Sequence, residues 1–232
     1  MQQSPDYRIM PNLPLSGVVL AGGKSARLGR DKALLELEGR TLVARTLDAL
    51  AQLTDDLIVV TNIVPRLFPP PARVVTDRYV GAGVLAGMHA GLLAARGELA
   101  IVVACDMPFL DLDLLRRMVT LAHEADVVVP RWTDVEPLHA IYRPAACLGP
   151  IERALVRGGR RIVSFYHQVR VRYVERAEIT RFDPQGLSFF NVNTAKDWEQ
   201  ACALARSHGG ASASAAALSP APADTGRAPQ TG

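Results

Sequence analysis

Short runs of aliphatic and β-branched residues alternate along the chain with longer segments whose apolar positions recur at helical spacing. GVVLA, LIVVT, RVVT, LAIVVA and VVVP read as strands, with helices over Leu42 to Leu53, Val84 to Ala95 and Leu112 to Ala122 between them. Strands that are apolar throughout are covered on both faces, so the pattern predicts an α/β fold, doubly wound and mostly parallel, with helices on both faces of the sheet. Past Pro130 the alternation loosens into a strand at PLHAIYR, a helix from Ala145 to Val156, a strand at VRVRYV and a last helix from Ala195 to Arg206, capped by Thr194 of FNVNT. Residues 16–206 read as one domain. The first fifteen residues, with three prolines, read as a loose extension, and 207–232, rich in small residues and proline, as a disordered tail.

In a Rossmann-like sheet of this kind ligands bind beyond the carboxyl ends of the strands. The residues there are Gly22, Gly23, Asn62, Asp77 and Asp106. Composition narrows the choice of ligand. At 49% hydrophobic and 21% charged residues the chain has ordinary globular usage, and no apolar run approaches the roughly 20 residues of a membrane span. Its start lacks the basic and apolar regions of a secretory signal, so a cytoplasmic protein with no membrane partner is expected. A net charge of +3, with Lys and Arg scattered rather than clustered with aromatics, gives little support to nucleic acid and suits phosphorylated small molecules. Cys105, Cys147 and Cys202 stand far apart in no CxxC pair, which implies free thiols.

The first strand runs into LAGGKSARLGRDK, where Gly22 and Gly23 let the backbone turn sharply and present amides to phosphate oxygens. Lys24, Arg27, Arg30 and Lys32 add cations suited to a triphosphate and to the charge that develops as pyrophosphate leaves. A P-loop is disfavoured because Val18 stands where its first glycine belongs, and GxGxxG fails because Gly22 and Gly23 are adjacent. Asp106 ends the strand LAIVVAC, where a carboxylate is placed to bind Mg2+; the alternative is a cap on the helix near Asp111. Arg160 and Arg161, after Gly158 and Gly159, suit either a phosphate of the acceptor or a solvated basic turn.

LAGGKSARLGRDK resembles the LAGGxSxRMGxDK signature of the molybdenum cofactor guanylyltransferases, with Leu28 where methionine is usual. The resemblance continues in VVTD at Asp77, GAGVLAGM from Gly81 to Met88, ACDMPFL around Asp106, EPLHAIYR and FNVNT, in the family's order from Gly17 to Arg206. It implies Lys32, Arg27 and Asp106 as catalytic residues, with Asp106 the Mg2+ ligand. It further implies Leu20, Ala21, Gly22, Gly23, Lys32, Asn62, Asp77 and Asp106 around the nucleotide. Asn193 becomes a second candidate beside the metal, and Asn191, Asn193 and His139 candidates toward the acceptor; the asparagines equally suit the turn before the last helix, and His139 a structural role.

The implied substrates are GTP and the molybdopterin cofactor, with molybdoenzyme delivery factors as further partners. Guanine presents two neighbouring donors that one carboxylate accepts together, and Asp77 is the candidate for it; binding ribose or ending the strand are its alternatives. The guanylyl enzymes carry LAGG and a GPLAG-like turn where cytidylyl relatives usually read LAAG; here LAGG stands with GVLAG, Val84 replacing proline. Cytidylyl transfer to the same acceptor, sugar-phosphate nucleotidyl transfer, and a non-catalytic nucleotide-binding delivery module stay open as alternatives.

Overall fold

A computed structural model describes residues 13–22, 32–62, 71–79 and 81–216, with side chains to Ser207. The elements follow the apolar pattern in order: β1 (Leu15–Leu20), a hairpin of β2 (Glu36–Leu37) and β3 (Arg40–Thr41), α1 (Leu42–Leu50), β4 (Asp56–Val60), β5 (Arg73–Val75), α2 (Val84–Ala94) and β6 (Leu99–Ala104). There follow α3 (Leu112–Leu121), β7 (Val127–Arg131), β8 (His139–Tyr142), α4 (Pro144–Val156), β9 (Val171–Glu175), α5 (Arg176–Ile179) and α6 (Ala195–Ala216).

Seven strands form one sheet in the order β5-β4-β1-β6-β8-β7-β9. The strands from β5 to β6 pair in parallel, β8 is antiparallel to both its neighbours, and β9 is parallel to β7. Alternate residues of each central strand feed two cores. Val18, Ile58, Val60 and Val102 pack under Leu85, Met88 and Leu92 of α2 and Ile151 and Leu155 of α4. Val19, Val59, Ile101 and Val103 pack under Val43 and Leu47 of α1 and Leu114, Leu115 and Met118 of α3. This two-sided cover is why all six residues of β6 are buried. Helix α2 lies close on the sheet because Gly91 has no side chain: a Cβ there would stand 2.4 Å from Val18 Cγ1, an overlap costing about 1–3 kcal/mol.

The chain turns outward from β1 toward β4 on one side and β6 on the other, which puts the topological switch point at the carboxyl ends of β1 and β6. Capping fixes where the flanking helices begin. The Thr41 hydroxyl accepts from Ala44 N at α1, and Asp111 Oδ1 accepts from Leu114 N at 2.7 Å at α3. Asp111 therefore performs the capping considered for Asp106.

Two boundaries differ from the sequence pattern. Leu15 already belongs to β1, while residues 1–12 lie outside those described. Helix α6 runs past Arg206 to Ala216, into the segment expected to be tail, because ASASAAA is rich in alanine, the strongest helix former, although it lacks apolar periodicity. Residues 217–232 lie outside the described set.

Candidate active site

Backbone bonds lace the strand ends into one floor. Ala21 N donates to Val60 O at 2.9 Å, Cys105 N to Leu20 O at 3.1 Å and Thr61 N to Val75 O at 3.0 Å. Ala104 N donates to Leu138 O at 3.1 Å, and Val192 N to Asp106 O at 3.0 Å. The last of these docks FNVNT directly on the turn that carries Asp106.

Lys32, at the start of a short 3-10 turn, gathers that floor. Its ammonium donates to Asp106 Oδ2 at 3.1 Å and to Asn193 Oδ1 at 2.6 Å. Side chains 74 and 161 residues away thus meet on one cation, each of Lys32 and Asp106 keeping 19% of its surface exposed. Two oxygens converging on a cation at the switch point is an arrangement suited to phosphate and metal chemistry.

Asn193 is held by a capping box that sequence reading used only as a helix start. Asp197 Oδ2 accepts from Asn193 N at 3.0 Å and Thr194 N at 2.8 Å, while Asp197 N donates to Thr194 Oγ1 at 3.2 Å. Those backbone and hydroxyl bonds, with Lys32 nearby, lower the pKa of Asp197. The T-x-x-D spacing is the signal that marks Asp197 as a positioning residue.

At the neighbouring strand ends Asn62 and Asp77 are also together. Asn62 Nδ2 donates to Asp77 Oδ2 at 2.6 Å, and Asp77 N donates back to Asn62 Oδ1 at 3.2 Å. The other carboxylate oxygen, Asp77 Oδ1, is buried and has no hydrogen-bond partner among the described residues. A buried acceptor left open in this way costs about 1–3 kcal/mol unless a ligand or water satisfies it.

Of the backbone expected around a base, Leu20 O and Ala21 N are already engaged between strands, while no described atom lies within 4 Å of where a Cβ on Gly22 would stand. Gly23 and Arg27 lie outside the described residues, as do Lys24 and Arg30. The two acceptor-side candidates beyond Asn193 stand in the turn before the last helix and in the core. Asn191 Nδ2 donates to Phe189 O at 3.1 Å, local turn chemistry. His139 is fully buried, its ring edge-on to Phe189 at 5.1 Å, so packing takes the place of acceptor contact. Burial pushes its pKa down to about 4, with Asp183 acting weakly the other way.

Comparison with known proteins gives the family. Residues 17–171 match the family described as the MobA-like NTP transferase domain. The chain belongs to this family. A molybdenum cofactor guanylyltransferase from Desulfosudis oleivorans is 37% identical over 190 residues, 81% of this chain and 94% of that protein. A probable molybdenum cofactor guanylyltransferase from Methanosarcina mazei is 37% identical over 79% of this chain and 88% of its own length. Among solved structures, molybdopterin-guanine dinucleotide biosynthesis protein A from Archaeoglobus fulgidus superposes with a TM-score of 0.72 at 27% identity, covering 83% of this chain and 99% of that one.

The MobA-like frame also accounts for Val84. It opens α2 at the first helical position, where an N–H has no partner within the helix, so valine and proline serve there alike. Gly83 before it has φ 76° and ψ −158°, a conformation available to glycine alone. Sequence reading passed over Glu136, a half-buried acid whose pKa is raised by burial and by Asp134, in the segment joining β7 to β8. No disulfide joins the three cysteines, and burial pushes the Cys147 thiol up to about 12. Among the described residues no helix is long and apolar enough to cross a membrane.

Proposed function

We propose that this MobA-like protein transfers GMP from GTP to the phosphate of the molybdenum-bearing molybdopterin cofactor in the cytoplasm, its product passing to molybdoenzyme delivery factors. The observation that carries this reading is the convergence of Lys32, Asp106 and Asn193 at the switch point. An oxygen of the acceptor's phosphate attacks the α-phosphorus of GTP. A new P–O bond forms, the bond from the α-phosphorus to the α,β-bridging oxygen breaks, and its electron pair leaves with pyrophosphate. A phosphate monoester is largely ionised at neutral pH, so no protein base is required. Lys32 binds phosphate oxygens and stabilises the charge that accumulates on them, with Asp106 and Asn193 fixing its position. Arg27, in the same sequence motif, adds a second cation to the phosphates.

Asp106 and Asn193 fit Mg2+, since they offer one carboxylate and one amide oxygen, and that ion keeps waters and substrate phosphates as its remaining ligands. Bound there, it would supply further neutralisation of the triphosphate. Asp77, whose Oδ1 is buried with no partner among the described residues, accepts the paired donors of guanine, with Asn62 holding the carboxylate. The retention of a lysine, a carboxylate and an amide in one contact set favours catalysis over a delivery module that only binds.

The test is incubation with each of the four NTPs, Mg2+ and the pterin acceptor, following pyrophosphate release and product mass. A guanine dinucleotide product is expected. Equal rates with CTP would overturn the guanylyl assignment, and no pyrophosphate with any NTP would overturn the transferase reading.

A further inference from the structure

Helices α2 and α4 lie side by side and run in opposite directions. Arg143, before α4, contacts the start of β7 through Asp126 O at 2.8 Å, so α4 climbs from the far edge of the sheet to the crevice. Arg73, at the start of β5, donates to Ala94 O at 2.8 Å, so α2 descends from the crevice to the far edge. The loop after α4 therefore meets the first turn of α2 at the rim. Gly158, at φ 79°, and Gly159 reverse the chain there and deliver Arg160 and Arg161. The Arg160 Cβ stands 3.9 Å from the place a Cβ on Gly83 would occupy.

Both arginines are exposed, and no carboxylate among the described residues pairs with either. At the far edge the opposite holds: Arg73 is 2.6 Å from Asp56, and Arg170 is 2.9 Å from Asp126. Unmatched guanidinium groups beside a crevice that must admit two polyanions lower the repulsion between them and bind phosphate through paired N–H groups.

We propose that Arg160, with Arg161 beside it, binds the phosphate of the acceptor. This rests on the guanylyl-transfer reading for the acceptor's identity. The nucleotide's phosphates are served by Lys32 and the loop after β1, whereas the acceptor's phosphomonoester, a dianion, has no cation assigned to it. Arg160 stands at the rim in the loop after α4, beside the first turn of α2.

The experiment is steady-state kinetics of Arg160→Ala, Arg161→Ala, the double variant and Arg160→Lys, with Arg157→Ala as an exposed control on the same loop. The double variant should raise the acceptor KM about tenfold to a hundredfold, the range of a lost charge-assisted hydrogen bond. The GTP KM should stay within about twofold, and the lysine variant should recover part of the loss. Calorimetric titration of the pterin phosphate acceptor without NTP should give the same ranking. An unchanged acceptor KM and affinity in the double variant, or a rise confined to GTP, overturns the proposal. If the wild type proves to use another NTP or acceptor, the guanylyl reading fails by itself. The same variants are then measured with the pair it does use, and the arginine assignment is kept or lost on the KM of the phosphate-bearing acceptor. If it transfers nothing, titration of the wild type and the double variant with inorganic phosphate decides: equal affinity overturns the assignment.

Discussion

The two edges of the central sheet treat their carboxylates in opposite ways. At the edge where strands begin, Asp56 accepts from Ser16 Oγ at 2.6 Å, Arg73 at 2.6 Å and Arg96 N at 3.0 Å. Burial works to raise its pKa, and these bonds together more than reverse that, leaving it lowered. Asp126 takes Arg170 on both oxygens, at 3.1 and 2.9 Å, and lies below the usual range chiefly through those bonds. At the edge where strands end, Asp77 keeps a buried oxygen with no partner among the described residues, and Asp106 shares Lys32 with an amide. A carboxylate saturated by its own protein has nothing left to offer; one left unsaturated is held for something that arrives later.

The sharpest way to break this contrast is Asp106→Ala. Turnover should fall about a hundredfold to a thousandfold, with the thermal midpoint nearly unchanged. Near-normal rates with unaltered metal dependence would remove Asp106 from the site. Next in size is nucleotide choice: GTP should be preferred over CTP by at least about a hundredfold, and Asp77→Ala should bring that ratio toward one. A ratio untouched by the substitution would assign Asp77 to the ribose or to its strand end.

Acid should dismantle the molecule in two stages. His139, buried and uncharged with a pKa near 4 against 6.5 when unfolded, contributes stability present above pH 6.5 and lost as pH falls toward 4, roughly 3 kcal/mol in all. His139→Phe should flatten the stability profile in that window. Asp56 and Asp126, with lowered pKa values, keep their contribution until the pH falls below 3.8 and through those values. Denaturant midpoints measured across pH 3 to 7 separate the stages. The smallest effect completes the contrast: Asp56→Ala should cost about 1–3 kcal/mol of stability while activity per folded molecule persists.

Much of this was legible in the chain because burial on both faces leaves an unbroken apolar run, as in LAIVVA, and because glycines and strand-end acids punctuate it. The direction of β8 was not, since HAIY reads the same in a parallel or an antiparallel strand. Nor was the burial of His139, which depends on Phe189 folding over it from 50 residues away. The positions of Asn62 and Asp77 followed from their place after strands; that each occupies the other depends on the spacing of β4 and β5. Helix α6 overran its expected end because alanine sustains a helix by its intrinsic propensity.

Asn193 reaches Lys32 across 161 residues, and this gives the protein an order of birth. Translation delivers β1, β4, β5 and β6 first, and that half carries Lys32, Asp77 and Asp106. A nascent chain still lacking FNVNT can lay down its parallel strands, but Val192 has not yet closed on Asp106 O and the lysine lacks its amide partner. The contact of Lys32 with Asn193 therefore forms only once the chain through FNVNT has been made, and a chain that stops short of it keeps its parallel strands and leaves that contact unmade.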